Sequence, residues 1–385
     1  MNYEITNSLT SRLNSEKIVL TPFLLLILSV IFIPAAYIFI AAVFISDLRK
    51  RTVSLKIKKY SLLILYITIG FFSSNYKLIT AFYVIMIIMC LYSYSLFNTI
   101  KSVNTNTVKK YFLIISLVVF SIGITQYFNP KFVIPLKWVD TDSYTLSKRI
   151  YSTFFNPNVF GFYINFIIII AMESMEFRKL KLESFIFALG IVCLIFTFSR
   201  TAWISLIAAL ILTSFLNKKY LFYALLISIT IFFADYTLGI GRTNLMKAAG
   251  DSSFLYRFEV WKTCIEIIKD NFITGIGFGT LFKYVSQYSS IVSTKIEHCH
   301  NIYLQVLTET GILGFSIFTV MLVGIISKFK KNLFNQNNEM WVTAFCIFAM
   351  TMIHGFVDSV ALTPQIMMIL CIYAGIVSNK EINSN

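Results

Sequence analysis

Long apolar runs without charges, separated by short basic segments, set the pattern of this chain. Ten such runs follow Lys59. A helix needs about 17–25 predominantly apolar residues to cross a bilayer, and fewer in a short span or a hairpin. The runs therefore predict ten transmembrane helices, which are Tyr60 to Phe72, Leu78 to Phe97, Tyr111 to Phe128, Val159 to Met172, Ser184 to Phe198, Thr201 to Leu216, Tyr220 to Ile240, Thr310 to Ser327, Met340 to Asp358 and Gln365 to Ser378.

An earlier uncharged run extends from Ile18 to Ser46 and contains Pro22 and Pro34. As one helix it would be about 44 Å long, which exceeds the bilayer core of roughly 30 Å. A steeply tilted helix and a short hairpin bent near Pro34 both fit this length. The run begins late and is much longer than the apolar core of a signal peptide, so we expect a retained anchor.

The basic residues choose between these two arrangements. Of the 33 Lys and Arg residues, 20 lie in alternate segments, and seven of the other 13 lie in one long loop from Gly241 to Glu309. Every short, densely basic loop falls on the same side if the first run is a hairpin. The positive-inside rule then predicts twelve spans with both termini cytoplasmic.

The composition excludes a water-soluble globule. Hydrophobic residues make up 57% of the chain and charged residues 13%, whereas soluble domains have about 45–50% and 25%. The 38 Phe residues beside 15 Gly and 6 Pro exclude disorder and collagen. A net charge of +15 would suggest nucleic acid as the partner of a soluble protein, but topology accounts for most of it here, so we expect no nucleic-acid partner.

These patterns predict an all-α fold, a polytopic bundle of about 12 transmembrane helices with one large external loop. We divide the chain into N-terminal membrane helices (1–240), the large loop with interfacial helices (241–309) and C-terminal membrane helices (310–385). Four of the six cysteines fall within spans, as small apolar fillers. Cys264 and Cys299 share the loop, where oxidation is permitted, but the sequence carries no distance between them and leaves their pairing open.

Arg200 is the only charge between two closely spaced apolar runs. It falls on the non-cytoplasmic side, where topology does not call for a basic residue. An arginine there tends to mark a ligand site or an anionic partner. The alternative is a side chain that extends to the outer interface.

The long loop contains a second candidate arginine. Ser252 can cap a helix from about Phe254 to Lys269, and its apolar spacing predicts a helix on the membrane surface or over the bundle. Arg257, near the first turn, could reach a phosphate with its planar fork. The alternative is an arginine that is solvated or bound to a lipid headgroup.

Two further features of the loop concern turns and proton transfer. The run Gly275 to Gly279 is not a nucleotide-binding motif because no strand precedes it, and it predicts a turn with close backbone approach.

His298, Cys299 and His300 are residue types that bind metals, but their spacing does not predict a metal site. A histidine where the loop re-enters the membrane suits proton transfer at neutral pH. Asn301 is expected to cap the helix that follows, which should continue through Gly311 into the next span.

Two polar groups lie at the outer ends of other spans. His354 and Asp358 are four residues apart, which predicts one shared helix face. The carboxylate can orient a histidine or pair with an arginine there, or the pair only packs two helices together. Asn156-Pro157-Asn158, followed by Gly161, predicts a helix start.

Taken in order, these motifs resemble the O-antigen ligase and O-antigen polymerase family of polytopic bacterial glycosyltransferases. The resemblance rests on motifs between about Asn156 and Asp358; the first third of the chain matches in hydropathy alone. The motifs are Asn156-Pro157-Asn158, Phe198-Ser199-Arg200, Tyr256-Arg257-Phe258 with Trp261, Gly275-Ile276-Gly277, His300-Asn301-Ile302-Tyr303-Leu304 and Glu309-Thr310-Gly311-Ile312-Leu313-Gly314.

The resemblance implies transfer of a glycan from undecaprenyl diphosphate on the periplasmic face of the bacterial inner membrane, with inversion and without a metal, nucleotide sugar or other cofactor. On this view Arg200 and Arg257 stabilise the diphosphate leaving group and His300 is the general base. Further substrate-binding candidates are Tyr256, Trp261, Asn301, Tyr303 and Asp358. The expected partners are the lipid-linked donor, a lipid-linked glycan or lipid A core acceptor, membrane lipid and a chain-length regulator.

The acceptor separates two activities. Ligases of this family often have an acidic residue after the His-Asn pair, whereas this chain has Ile302, which favours a repeat-unit polymerase with ligase as the alternative. A lipid-linked glycan flippase would favour ionisable residues in the middle of several spans and internal symmetry. A non-catalytic assembly partner is the remaining class, in which Arg200, Arg257 and His300 would be replaceable.

Overall fold

A computed structural model of the chain describes residues 23–49, 60–99, 105–129, 131–132, 135, 148–175, 181–244, 252–293, 295–296, 298–335 and 339–383. Pro22 and Glu297 lie outside these ranges. Within them the chain is helical and has no strand, which confirms the all-α fold.

The described helices follow the predicted runs closely. They are α1 (23–31), α2 (Ile33–Arg49), α3 (Ser61–Phe72), α4 (Lys77–Thr99), α5 (Thr105–Phe128), α6 (Pro157–Ser174), α7 (Leu182–Thr197), α8 (Arg200–Ser214), α9 (Lys219–Thr237), α10 (Ser252–Asp270), α11 (Leu281–Tyr288), α12 (Ile302–Asn335), α13 (Glu339–Gly355) and α14 (Pro364–Asn383), with 3-10 turns at Ser152–Phe154 and Val360–Leu362. By length and composition α4, α5, α6, α9 and α12 can each span a bilayer, and α3, α7, α8, α13 and α14 are shorter apolar helices. The chain is therefore a multi-pass membrane protein.

The first apolar run breaks at Phe32, between α1 and α2, close to Pro34. Phe23 packs its ring on Tyr111 near the start of α5, and Asp47 accepts a hydrogen bond from Tyr92 in the second half of α4. The carbonyl of Val30 instead accepts a 2.8 Å hydrogen bond from Gln365 at the start of α14. Phe23 and Asp47 thus lie at one end of the bundle and the break lies at the other, so the described part of the run favours the hairpin over the tilted helix.

Helix α6 lies at the centre of the bundle. Its residues from Ile164 to Met172 are each no more than 1% exposed, and it contacts α5, α7, α8 and α13. A helix that is apolar on all sides is expected to be buried on all sides. Because α6 is central, its N-terminal end lies beside the ends of the neighbouring helices.

Gly161 allows α6 and α8 to approach closely. A Cβ atom at Gly161 would lie 2.8 Å from Cβ of Ala202. One turn further on, Asn165 Nδ2 donates a 2.8 Å hydrogen bond to the carbonyl of Ala202. The N-terminal ends of the two helices are thereby held side by side.

The long loop forms a second, smaller core between α10, α11 and the chain that precedes α12. This core consists of Val260, Cys264, Ile267, Ile276, Leu281, Val285, Val292, Ile296 and Cys299. On another side of α10, Phe254, Phe258 and Ile265 remain 39%, 48% and 44% exposed. The helix is thus apolar on two sides, one of which packs on the loop while the other stays open, as expected at a membrane surface. The domain boundaries at 240 and 309 stay a prediction.

The glycine run after α10 makes the turn expected from the sequence. Gly275, Gly277 and Gly279 have φ of +72°, +90° and +70°. A Cβ atom at Gly277 would lie 2.3 Å from Ser74, between α3 and α4, so only glycine permits this approach. The backbone N–H groups of Gly277 and Gly279 donate to the carbonyl and the carboxylate of Glu309, each at 2.8 Å.

Helix α12 does not continue smoothly into the membrane as the sequence suggested. Gly311 has φ 59° and ψ −168°, so the helix kinks there. The N–H groups of Ile312 and Leu313 donate to the carbonyls of Phe272 and Ile273 at 2.8 and 3.2 Å. Residues 302–310 therefore belong with the loop, and the apolar span follows the kink.

The close contact at Gly161 predicts that a larger side chain at this position destabilises the fold. We expect Gly161→Val to lower the free energy of unfolding by about 1–3 kcal/mol, because the added methyl groups overpack the interface with α8. Gly324→Val in α12 is the control, since a Cβ atom at Gly324 meets nothing within 4 Å. Thermal unfolding of detergent-solubilised protein measures both, and equal melting temperatures for the two variants would contradict the packing described for α6 and α8.

Candidate active site

A single carboxylate, that of Asp358, brings the polar groups of the site together. Asp358 is 2% exposed and lies between the end of α13 and the turn at Val360–Leu362. Its Oδ1 atom is 3.2 Å from His300 Nδ1 and 3.4 Å from His298 Nε2. Its Oδ2 atom is 3.0 Å from Asn158 Nδ2 and 3.4 Å from a guanidinium nitrogen of Arg257. Groups from three distant parts of the chain therefore meet at one buried negative charge.

The loop and α12 together position His300. Asn301 caps α12, because its Oδ1 atom accepts a 3.0 Å hydrogen bond from the N–H of Leu304. Its Nδ2 atom donates to the carbonyl of Phe356 at 2.9 Å, which ties the cap to the segment containing Asp358. Trp261 Nε1 lies 3.4 Å from the carbonyl of His300. The backbone of His300 is thus fixed on both sides.

The two predicted arginines approach the site from different helices. Arg257 extends from α10, and its other guanidinium nitrogen lies 3.5 Å from Thr201 Oγ1. Arg200 is the first residue of α8 and is half-buried between Ser199 and Thr201. Ser199 Oγ donates a 2.9 Å hydrogen bond to Asn158. The start of α8 is therefore part of the site. Arg200 lies between Ser199, which contacts Asn158, and Thr201, which contacts Arg257.

Asn158, which we expected only to start a helix, is a bridging residue of the site. Asn156 is the cap of α6 and accepts from the N–H of Asn158 at 2.8 Å, with Pro157 at the first helical position. The side-chain oxygen of Asn158 accepts from Ser199 and from Arg149, the latter at 3.0 Å. Arg149 therefore joins Arg257 in the network, and no motif in the sequence marked it.

Three helix N-termini meet at this network, and each follows an unusual backbone conformation. Phe155, Phe198 and His300 have φ of 55°, 48° and 50° and directly precede the caps of α6, α8 and α12. Non-glycine residues with positive φ are uncommon and cost roughly 1–3 kcal/mol each. The N-terminal ends of helices carry partial positive charge and favour anions. The site therefore combines arginines with three positive helix ends.

The charges in the site follow from burial and hydrogen bonding. Burial lowers the pKa of His300 below its ordinary value of 6.5, although the hydrogen bond to Asp358 and its charge act in the opposite direction. Burial raises the pKa of Asp358, but hydrogen bonds from His298 and His300 and the charge of Arg257 outweigh it and hold that pKa well below 3.8. At neutral pH His300 is therefore neutral and Asp358 is ionised.

Other predicted substrate-binding residues are used by the fold. Tyr256 OH accepts from the N–H of Ser293 at 3.2 Å, and Tyr303 OH donates to the carbonyl of Met352 at 3.0 Å. These bonds place Tyr256 in the packing of the loop and Tyr303 against α13. A substrate role for either tyrosine stays a prediction.

His354 and Asp358 do not share a helix face, which corrects the sequence-based expectation. Helix α13 ends at Gly355, and the N–H of Asp358 donates to the carbonyl of His354 at 3.0 Å in the turn that follows. The His354 ring is 1% exposed and packs edge-on against Phe162. The carboxylate of Asp358 instead contacts His298 and His300.

His298, His300 and Asp358 are the only group of three or more possible metal ligands among the described residues, with ligand atoms within 4.8 Å of one another. A zinc site normally has three or four protein ligands in tetrahedral arrangement. A guanidinium nitrogen of Arg257 lies 3.4 Å from the second carboxylate oxygen of Asp358. This positive charge opposes binding of a cation.

Comparison with known proteins identifies this part of the chain. Residues 185–319 match the family model described as O-antigen ligase. This part of the chain is therefore similar to the O-antigen ligase family. A search of curated proteins finds no match.

The O-antigen ligase match contains only part of the site. It extends from α7 into α12 and includes Arg200, Arg257 and His300. Asp358 and Asn158 lie outside it, yet both contact residues within it. The match supports a function of the O-antigen ligase or polymerase type and gives no support to a flippase.

The contact between Asp358 and His300 predicts a titration shift. We expect Asp358→Asn to lower the pKa of His300 further, because the carboxylate is what raises it against burial. Ring-labelled histidine measured by NMR in detergent resolves the titration, and the chain has only 3 His to assign. The control is Glu266→Gln, an exposed residue paired with Lys269. A His300 pKa that rises in Asp358→Asn would contradict this geometry.

Proposed function

We propose that the chain is a membrane glycosyltransferase that polymerises undecaprenyl-diphosphate-linked oligosaccharide repeat units into O-antigen or a related surface polysaccharide. The reaction takes place at the periplasmic face of the inner membrane. The observation that carries this proposal is the meeting of His300 and Arg257 on the buried carboxylate of Asp358. Glycan transfer from a diphosphate needs a neutral base that accepts the hydroxyl proton and a fixed cation that stabilises the leaving group. Asp358 contacts both candidates for these roles.

His300 is the proposed general base. Its Nδ1 atom faces Asp358, which favours the tautomer with the proton on Nδ1 and leaves Nε2 free to accept. The acceptor hydroxyl loses its proton to Nε2 as its oxygen attacks the anomeric carbon. The bond from that carbon to the diphosphate oxygen breaks with inversion, and the electron pair leaves with undecaprenyl diphosphate.

The leaving group accumulates negative charge as this bond breaks. Arg257 and Arg200 are the proposed partners of the diphosphate, and the positive ends of α6, α8 and α12 add to their effect. Such preorganised charge lowers the barrier because it is in place before the reaction begins. No metal ion or cofactor takes part in this mechanism.

Ligase activity is the second candidate, and the description of the matching family favours it. The ligase transfers the finished polymer to lipid A core, whereas the polymerase extends one lipid-linked glycan with another. Ile302, the position that favours a polymerase, is 3% exposed and packs near Gly355. An acidic side chain at this position would be buried, which disfavours its charged form.

The phenotype of a deletion strain distinguishes the two activities. We expect core carrying one repeat unit when the gene is deleted, because ligation continues without polymerisation, and a gel of the cell-surface polysaccharide resolves this. Unmodified core with accumulated lipid-linked polymer would assign the chain as the ligase instead.

The same strain, complemented with variants, tests the catalytic residues. We expect His300→Ala to reduce the transfer rate by about 10²–10⁴ and Arg257→Ala by about 10²–10³, measured with purified protein and lipid-linked donor. The control is Lys262→Ala, an exposed residue of α10 paired with Glu259. Polymer of normal length and amount with Arg200, Arg257 and His300 all changed to Ala would make the chain a non-catalytic partner.

The rate should also depend on pH through His300. Only neutral His300 accepts a proton, so the rate is lost as pH falls through its pKa, and burial places that midpoint below 6.5. We therefore expect a constant rate between pH 7 and pH 8 and an acid limb below pH 6.5 that His300→Ala lacks. An acid limb centred above pH 7 would mean that another group is the base.

A further inference from the structure

The two loop cysteines, which the sequence left unassigned, lie against each other in the folded chain. Cys264 in α10 and Cys299 before α12 are 35 positions apart, and their Sγ atoms are 2.8 Å from one another. Their exposed fractions are 1% and 0%. The S–S bond length of a disulfide is about 2.05 Å, so the two sulfurs are already within about 1 Å of it.

We propose that Cys264 and Cys299 form a disulfide bond that links α10 to the start of α12. Both residues belong to the loop core rather than to the membrane helices. The proposal needs the loop to face an oxidising compartment, as the proposed function also does, but it does not depend on glycan transfer. Cys90, Cys193, Cys346 and Cys371 instead lie in membrane helices, out of reach of a water-soluble oxidant.

The surroundings of the pair fit a covalent link better than a metal site. The group of possible metal ligands found among the described residues contains neither cysteine. The hydroxyl of Thr308 lies 3.7 Å from Cys299 Sγ, farther than the sulfur of Cys264 at 2.8 Å.

The bond forms by thiol–disulfide exchange with an external disulfide donor. One loop thiol first forms a mixed disulfide, and the second displaces the donor's thiol. The pair loses two electrons and two protons, and the donor is reduced to its dithiol. Exchange takes place while the loop folds, because the folded core covers both sulfurs.

The link has a direct consequence for the site. Arg257 lies two helical turns before Cys264 on α10, and His300 directly follows Cys299. The covalent bond therefore restricts the distance between the helix that carries the arginine and the backbone that carries the histidine. A disulfide also limits the conformations of the unfolded loop, which stabilises the folded one.

Thiol counting on the full-length protein tests the bond. Cells are quenched in acid, free thiols are blocked with N-ethylmaleimide under denaturing conditions, and the protein is then reduced and labelled with a polyethylene-glycol maleimide. We expect two labelled cysteines in the wild type and none in Cys264→Ser or Cys299→Ser. The matched control Cys193→Ser, in α7, should still show two. No label in the wild type would overturn the proposal even if a serine variant failed to fold.

The failure of this proposal is separable from failure of the proposed function. A reduced pair in protein that transfers glycan overturns the disulfide alone. A disulfide in protein without transfer activity leaves the bond standing and overturns the enzyme assignment. Reductant should in addition lower the melting temperature of the wild type and leave that of the double Cys264→Ser/Cys299→Ser variant unchanged.

Discussion

A carboxylate buried among apolar helices stays ionised only where hydrogen-bond donors and a positive charge replace water, since an unpaired buried charge costs several kcal/mol. Asp358 meets this requirement through donors from α6, α10 and the segment before α12. The bundle and the loop must therefore dock correctly for the charge to be tolerated. Removal of any donor weakens both the packing and the chemistry, so stability and site geometry are coupled here.

The same requirement explains why the loop is a folded body and not a flexible connection. Its glycine turn donates backbone hydrogen bonds to Glu309, and Trp261 approaches the carbonyl of His300. Asn301 meanwhile ties the cap of α12 to the chain beside Asp358. A base and an arginine that approach from separate helices stay within reach of one anchor only if these contacts limit their relative motion.

Local patterns in the sequence were sufficient for the helices and the glycine turn, and they marked Arg257 and His300, which the structure brings to Asp358. They were insufficient for the central role of Asp358, because its partners are 58, 101 and 200 positions away. Periodicity instead suggested that Asp358 shares a face with His354, since nothing local indicated that α13 ends before it. The role of Asn158 in the site was missed for another reason, because its position at a helix start was a sufficient explanation of the residue. Arg149 was missed because it lies in no recognisable motif.

The kink at Gly311 determines how the chain enters the lipid. A break in a helix exposes backbone N–H groups, which is costly wherever water is scarce. Here Phe272 and Ile273 accept from the two N–H groups after the glycine, so the loop itself completes the hydrogen bonding of the membrane helix. The chain thus changes direction between the loop and the membrane helix without needing solvent to satisfy these two peptide groups, so the corner can lie in apolar surroundings.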